Sequence, residues 1–183
     1  MAARNVTGNE DIVAFITIPG TSISYAVAQG ADNNFYLNRD LRGRPNLAGS
    51  IFMHTDNSPD FSDRSTILFG HNMLNRTKFS DLHMFRDLSF FEQNNLIEIA
   101  RIEDVLFYDV FAVFETHISF NYIEVKLADD NAFLSLVENI KHRSMHPVTV
   151  SVSDNDQIII LSTCTDVVGS DYRFVVVGLR RFE

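Results

Sequence analysis

The sequence predicts a mainly β protein that closes into a barrel or a sandwich. Short runs rich in β-branched and aromatic residues recur between polar turns along the whole chain, about eight of them in all. Only about two or three stretches have the spacing of an amphipathic helix. A doubly wound parallel sheet needs a helix after nearly every strand, so this balance favours a barrel or a sandwich.

The strands and turns can be placed from the apolar pattern and the turn residues. Pro19 and Gly20 suit the inner positions of a type II turn between the first two strands. Residues 31–49 are polar and interrupted by glycine and proline, so they are predicted to be irregular, with one helical turn at 35–37. The candidate strand segments, from which we expect about eight strands, span residues 15–18, 23–27, 50–54, 66–69, 96–99, 105–115, 148–152, 158–164 and 173–177.

Two segments show helical periodicity. Residues 129–145 carry the clearest pattern, with Asp130 as the predicted cap and Pro147 beyond the end. The apolar residues of this helix recur at i, i+3, i+4 and i+7, at Phe133, Leu136, Val137 and Ile140. A shorter helical pattern covers residues 79–85, and the polar residues of the FFEQNN stretch at 90–95 are predicted to break it.

The composition limits the class of protein. The chain has 183 residues, 45% of them apolar, which is enough for one substantial core, and it contains no internal repeat or low-complexity linker. We therefore expect residues 1–183 to form a single domain. The formal net charge of -9 argues against a nucleic-acid surface, which needs clustered lysine and arginine. No apolar run approaches the roughly 18 residues of a membrane span.

Cys164 is the only cysteine and lies at the end of the predicted strand 158–164. A single cysteine cannot form an internal disulfide, and a lone cysteine on an apolar strand is more often a packing residue than a nucleophile. The polar residues Ser162 and Thr163 just before it, and Arg173 at the start of the next strand, favour a chemical role. A nearby cation favours the thiolate form of a cysteine.

A cysteine nucleophile needs an acid-base partner, which is normally histidine. The chain has six histidines. His71 is the preferred candidate because it follows an apolar strand that would hold it rigidly, and because Gly70 before it has no side chain. No metal-ligand spacing and no glycine-rich phosphate loop occurs in the sequence, so no metal and no cofactor is expected.

The cysteine and histidine segments together resemble the class B sortases of Gram-positive bacteria. The resemblance rests on LSTC at 161–164, Arg173, and FGHNM at 69–73. Segments similar to IPGTSISYAV, NNFYLNRD and LAGSIFM occur in that class in a similar order, so the resemblance covers nearly the whole chain. One position departs from the family, because the threonine that usually heads the cysteine motif is Ile160 here.

The resemblance implies an eight-stranded sortase-type β-barrel with a few peripheral helices, one of them in the loop before the cysteine strand. It also implies a transpeptidase that cleaves a C-terminal sorting signal of secreted proteins through a thioester. The enzyme would join the new carboxyl end to an amine of peptidoglycan or another cell-wall acceptor. Cys164 would be the nucleophile, His71 the acid and base, and Arg173 the group that binds and polarises the substrate backbone.

The resemblance further assigns peptide contacts and a cellular location. The residues that would contact the signal peptide are Leu37, Tyr122, Ile123, Ser162 and Thr163. Members of the class act on the extracellular face of the cell membrane and carry an N-terminal anchor. We therefore expect an anchor outside residues 1–183, and we expect the membrane to be a partner only through that anchor.

Two alternatives to transpeptidation remain open from the residues. A cysteine peptidase that only hydrolyses would form the same acyl-enzyme and would differ only in the acceptor, so the sequence separates the two poorly. A non-catalytic β-barrel surface domain would use Cys164 for packing. The residue that orients His71 is also undetermined, and Asp166 and Asp171 are nearby candidates.

Overall fold

The computed structural model describes residues 8–165 and 170–182. Its eight strands close into a barrel in the order β1-β2-β3-β4-β7-β8-β6-β5, which confirms the predicted fold class. The strands are β1 (Ile12–Thr17), β2 (Ser24–Ala28), β3 (Ile51–Met53), β4 (Ser65–Phe69), β5 (Leu96–Ala100), β6 (Val105–His117), β7 (Ile158–Cys164) and β8 (Tyr172–Arg180).

Most neighbouring strands pair antiparallel, but β2 pairs in parallel with β3, and β4 pairs in parallel with β7. The register of β4 with β7 runs from Ser65 opposite Ile158 to Phe69 opposite Ser162. Parallel strands end at the same edge of a sheet, and they need a long connection between them. Here that connection contains β5, β6 and the intervening helices. The pairing therefore brings the ends of two strands that are distant in sequence to one end of the barrel.

Strand β7 is buried on both faces, which explains its continuous apolar run. Ile159 and Leu161 belong to the cluster of side chains that fills the barrel. Ile158 and Ile160 belong to a second cluster, which contains the apolar face of a helix packed outside the barrel. Because side chains alternate along a strand, Ser162 and Cys164 lie on this outer face.

The helices are short except for one. Two 3-10 helices span Tyr36–Asn38 and Ser80–Arg86, α1 spans Leu88–Gln93, and α2 spans Asp130–Arg143. Helix α2 lies between β6 and β7 in the chain, as predicted, and all four apolar residues of its predicted face are buried. None of the helices within 8–165 and 170–182 is both long enough and apolar enough to cross a lipid bilayer.

The cap of α2 differs from the expected one by a single residue. The side chain of Asp129 accepts a hydrogen bond of 2.8 Å from the backbone N–H of Ala132, which satisfies a donor at the start of the helix. Asp130, the predicted cap, instead forms an ion pair of 2.5 Å with Arg64 on the barrel. Asp129 thus caps the helix, and Asp130 attaches its first turn to Arg64.

Two local predictions were wrong. Residues 148–152 alternate in hydropathy but form no strand, and Val148, Val150 and Val152 instead pack, partly buried, against the cluster beneath α2. The barrel closes without this segment, so no strand edge is left for it to pair with. Part of the FFEQNN stretch forms α1 instead of a break, because the Asp87 side chain accepts a hydrogen bond of 2.9 Å from Phe90 N–H and caps that helix.

The turn predictions agree with the structure. Thr21 N–H donates to the Ile18 carbonyl across Pro19 and Gly20 at 3.2 Å. Gly20 has a φ of 80°, the left-handed conformation that the third position of a type II turn requires. The helical turn predicted at 35–37 is the 3-10 helix Tyr36–Asn38.

We expect Phe133→Ala to lower the free energy of unfolding by about 3–5 kcal/mol, because it leaves a cavity between α2 and the barrel. Phe133 has no exposed surface in the folded protein. Urea denaturation monitored by circular dichroism measures the change. Ser135→Ala, on the exposed face of the same helix, is the matched control and should stay within about 0.5 kcal/mol of the parent protein. Equal effects of the two substitutions would contradict the packing of α2 described above.

Candidate active site

Cys164 and Arg173 face each other across two neighbouring strands. They form the last pair in the antiparallel register between β7 and β8. Residues directly opposite each other in such a pair project to the same face, with Cβ atoms about 4.5–5.5 Å apart. Both side chains are half-buried. The sheet itself therefore places the side chains of Cys164 and Arg173 at neighbouring positions on one face, and both line the same groove.

His71 follows β4 at the same end of the barrel. Gly70 N–H donates to the Ser162 carbonyl at 3.2 Å, which continues the parallel ladder for one residue beyond β4. A Cβ atom at Gly70 would lie 2.4 Å from Cδ1 of Ile51 and 2.8 Å from the ring of Phe79, so only glycine fits there. This close packing holds the backbone next to His71 against the end of β7.

A backbone carbonyl orients the His71 ring. His71 Nε2 lies 2.7 Å from the carbonyl oxygen of Leu37. Because a carbonyl oxygen can only accept, Nε2 carries the hydrogen and donates it. In the neutral ring Nδ1 is then the nitrogen with a lone pair. The Phe79 N–H also donates to the His71 carbonyl at 3.0 Å, which fixes the main chain of the same residue.

The candidates for orienting His71 named from the sequence did not include Leu37. Asp166 lies outside the described residues. Asp171 is exposed, and its backbone carbonyl accepts a hydrogen bond from Ile118 N–H at 2.9 Å. A main-chain acceptor can come from any residue type, so no sequence signal could have identified the Leu37 carbonyl.

One groove of about 380 Å³ joins all the predicted site residues. The eight predicted residues that line it are Leu37, His71, Tyr122, Ile123, Ser162, Thr163, Cys164 and Arg173. Its lining also includes Asn33, Ile118 and Phe120, which sequence reasoning missed because they lie in irregular segments without a periodic pattern. Strand alternation directs the Thr163 side chain away from the face that carries Ser162 and Cys164.

A buried hydrogen bond closes one side of the groove. The Tyr122 hydroxyl and the Ser162 hydroxyl are 2.8 Å apart, and only 4% of Tyr122 is exposed. Burial raises the pKa of Tyr122, although the hydrogen bond with Ser162 and the nearby Arg173 guanidinium oppose the rise. The phenol therefore stays neutral at physiological pH and anchors the loop after β6 to the strand that carries Cys164.

The Arg173 guanidinium is held in place by its own loop. Its Nη1 donates to the carbonyl of Ser170 at 3.0 Å and to the carbonyl of Tyr172 at 2.9 Å. A guanidinium has five N–H donors in a rigid plane, so fixing one nitrogen orients the others. A cation held beside a thiol favours the thiolate and can also bind an oxyanion that forms next to it.

The arrangement supports nucleophilic chemistry. Within the part of the chain that the structure describes, no group of three or more histidine, cysteine, aspartate or glutamate residues is placed to hold a metal ion. A thiol, an imidazole and a guanidinium instead share one groove at one end of the barrel. These three groups are suited to attack on a carbonyl, to proton transfer, and to stabilisation of the resulting oxyanion.

Comparison with known protein families and relatives agrees with the geometry. The family model described as "Sortase domain" matches residues 16–181. Sortase B of Listeria monocytogenes is 35% identical over 85% of this chain, and sortase B of Staphylococcus aureus is 33% identical over 92% of it. The chain spans 63% of the length of the Listeria relative and 69% of the Staphylococcus relative.

Solved structures show the same fold. Clostridium perfringens sortase B superposes with a TM-score of 0.90 at 27% identity, over 99% of this chain and 98% of that one. A Staphylococcus aureus sortase B–substrate complex superposes with a TM-score of 0.90 at 32% identity, over 98% of this chain and 83% of that one. The similarity therefore includes the whole barrel.

We expect iodoacetamide to alkylate native Cys164 without denaturant, because the thiol is only half-buried. Arg173→Ala should slow this alkylation several-fold, because it removes the cation opposite Cys164 that stabilises negative charge on the sulfur. Mass spectrometry follows the reaction, and the single cysteine makes its stoichiometry unambiguous.

Arg181→Ala is the matched control, because Arg181 pairs with Asp109 near the other end of β8. This variant should react at the parent rate. A thiol that reacts only after unfolding would instead show that Cys164 is a packing residue.

Proposed function

Because the chain belongs to the sortase family, we propose that it is a cysteine transpeptidase. It cleaves a C-terminal sorting signal and transfers the shortened protein to an amine of the cell wall. The observation that carries the proposal is the cross-strand pair of Cys164 and Arg173, which shares one groove with His71. A structural role for the cysteine would explain neither the arginine nor the oriented histidine.

In the proposed first step, the Cys164 thiolate attacks the scissile carbonyl carbon of the sorting signal. The carbonyl electrons move to oxygen, and Arg173 stabilises this oxyanion through its N–H groups. The oxyanion then collapses, the C–N bond breaks, and His71 in its protonated form gives a proton to the leaving amine. The products are a thioester on Cys164 and the free C-terminal fragment of the signal.

In the proposed second step, an amine of the cell wall attacks the thioester carbonyl. Neutral His71 removes a proton from the attacking nitrogen, and Arg173 again stabilises the oxyanion. The C–S bond breaks and releases Cys164 as a thiolate, while a new amide bond joins the protein to the acceptor. His71 is then protonated for the next cycle, so the two steps balance in atoms and charge.

The groove is suited to an extended peptide next to the cysteine. We propose Leu37, Tyr122, Ile123, Ser162 and Thr163 as the peptide contacts, with Thr163 acting through its main chain because its side chain points away from the groove. Leu37, Ile118 and Ile123 offer apolar surface to the groove, and Ile118 and Ile123 are exposed. The Staphylococcus aureus relative has been solved as a substrate complex, which supports a peptide site in this fold.

The proposed partners determine where the reaction takes place. Sortases are cell-surface enzymes of Gram-positive bacteria, and both proposed substrates, the secreted protein and the peptidoglycan amine, are found outside the cell membrane. An N-terminal anchor outside residues 1–183 is part of this proposal. The full reading frame tests it, because the absence of an apolar segment upstream would contradict membrane anchoring.

We expect the protein to form an acyl-enzyme with a sorting-signal peptide and to release product by aminolysis when a glycine-type amine is present. Mass spectrometry should detect the thioester on Cys164 and the new amide in the product. Cys164→Ala should abolish both at nearly unchanged thermal stability, because the substitution removes one small group and costs about 1 kcal/mol or less. If the product carries a free carboxylate and never the amine, at every amine concentration, the protein is a hydrolase.

We expect His71→Ala to lower the rate of thioester formation by at least about 100-fold, the usual contribution of one acid-base group. His142→Ala is the matched control, because His142 is exposed near the C-terminal end of α2, outside the groove. Stopped-flow or quenched-flow detection of the leaving fragment measures both rates. Retained turnover in His71→Ala would remove this histidine from the mechanism.

A further inference from the structure

We propose that His83 is a positioning residue for Cys164, an inference that rests on the proposed function of the groove. His83 does not line the groove and has no place in the two reaction steps. It lies in the 3-10 helix Ser80–Arg86, below the end of β7. Its Nε2 is 3.1 Å from the carbonyl oxygen of Cys164, and because that oxygen only accepts, Nε2–H is the donor.

This contact replaces a missing strand partner. The pairing of β7 with β4 ends at Ser162, whose carbonyl accepts from Gly70 N–H. Carbonyls two residues apart on a strand point to the same side, so the Cys164 carbonyl points to where β4 would be if it continued. The chain has already turned away at His71. His83 supplies the donor that the ladder no longer provides, which satisfies a main-chain acceptor of the candidate nucleophile.

The ring of His83 is held on the face opposite the thiol. It stacks on Phe174 with ring centroids 4.4 Å apart and an interplanar angle of 24°. Phe174 belongs to the cluster inside the barrel, whereas Cys164 and Arg173 project from the other face of the sheet. His83 therefore acts on the backbone of Cys164 and not on the substrate.

A second contact links the same nitrogen to the histidine segment. Asn72 Nδ2 lies 3.1 Å from His83 Nε2, and Asn72 is the residue directly after His71. Because Nε2–H is the donor to Cys164, this contact becomes a hydrogen bond when the Asn72 amide is turned so that its oxygen faces Nε2. One imidazole thus touches both the carbonyl of the nucleophile and the side chain next to the acid-base residue. Neither contact could be foreseen from the sequence, where His83 is one of several histidines without a motif.

The functional consequence concerns the direction of the Cys164 Cα–Cβ bond. The hydrogen bond fixes the peptide plane after Cys164 at the point where β7 ends, on the side where no strand supports it. Among the residues that the structure describes, loss of the bond leaves the pairing with Arg173 to hold the main chain of Cys164. A displacement of about 1 Å in a reacting atom can reduce a rate by as much as 100-fold.

A matched histidine elsewhere separates positioning from general stabilisation. His146 also donates from Nε2 to a backbone carbonyl, that of Phe85, at 2.7 Å, and it also contacts an aromatic ring, that of Phe91, at 4.8 Å between centroids. It is buried, but it does not contact Cys164 or line the groove. His146→Phe therefore removes the same kind of bond away from the thiol.

The test compares His83→Phe, His83→Gln and His146→Phe with the parent protein. Phenylalanine keeps the stack on Phe174 without a donor, and glutamine places an N–H donor where Nε2 was. We expect His83→Phe to lower kcat for thioester formation about 10-fold with little change in KM. His83→Gln should stay within about 3-fold of the parent value because its donor remains. His146→Phe should lower the melting temperature without lowering kcat of the folded protein.

Iodoacetamide alkylation of Cys164 provides a readout that needs no peptide substrate. We expect His83→Phe to alkylate several-fold more slowly than the parent protein, and His83→Gln to alkylate at the parent rate. Equal rates in all three proteins, or equal loss in the phenylalanine and glutamine variants, would overturn the proposal. If the parent protein forms no acyl-enzyme, the proposed function fails, whereas the alkylation rates still decide the role of His83.

Discussion

The site depends on the parallel pairing of β4 with β7. Antiparallel neighbours would end at opposite edges of the sheet, and His71 would then be far from Cys164. Parallel pairing requires a long connection, and the chain uses it to build half of the barrel and α2. The antiparallel pairing of β7 with β8 then adds Arg173. His71, Cys164 and Arg173 therefore line one groove because of two strand pairings, β4 with β7 and β7 with β8.

Two apolar clusters, one on each face of β7, fix the register of this strand with its neighbours. Strand β7 contributes alternate residues to the barrel interior and to the interface with α2, so a shift by one residue would exchange the two sets. Such a shift would also turn Cys164 into the barrel and Thr163 outward. The packing of Ile158 to Leu161 therefore determines on which side of the sheet the thiol lies, several residues away from it.

Features that depend on apolar periodicity and on where strands end could be predicted from the sequence. Features that depend on a contact with a distant part of the chain could not. The barrel, α2 and the meeting of His71, Cys164 and Arg173 followed from apolar runs and a family resemblance. Alternation at 148–152 indicated which residues face inward but not that the closed barrel had no edge left. The carbonyl of Leu37 accepts from His71, and the carbonyl of Cys164 accepts from His83. Every residue type has a main-chain carbonyl, so these two contacts could not be predicted from the sequence.

The departure at Ile160 is explained by its depth in the strand. Ile160 lies on the same face of β7 as Ser162 and Cys164, but it is fully buried in the cluster beneath α2. A hydroxyl at this position would need a hydrogen-bond partner in an apolar interface, whereas isoleucine needs none. Isoleucine in place of threonine at this position therefore affects the packing of α2 on the barrel, and it does not alter the residues that line the groove. On this face of β7, the residues that line the groove start at Ser162, beyond the part of the strand that α2 covers.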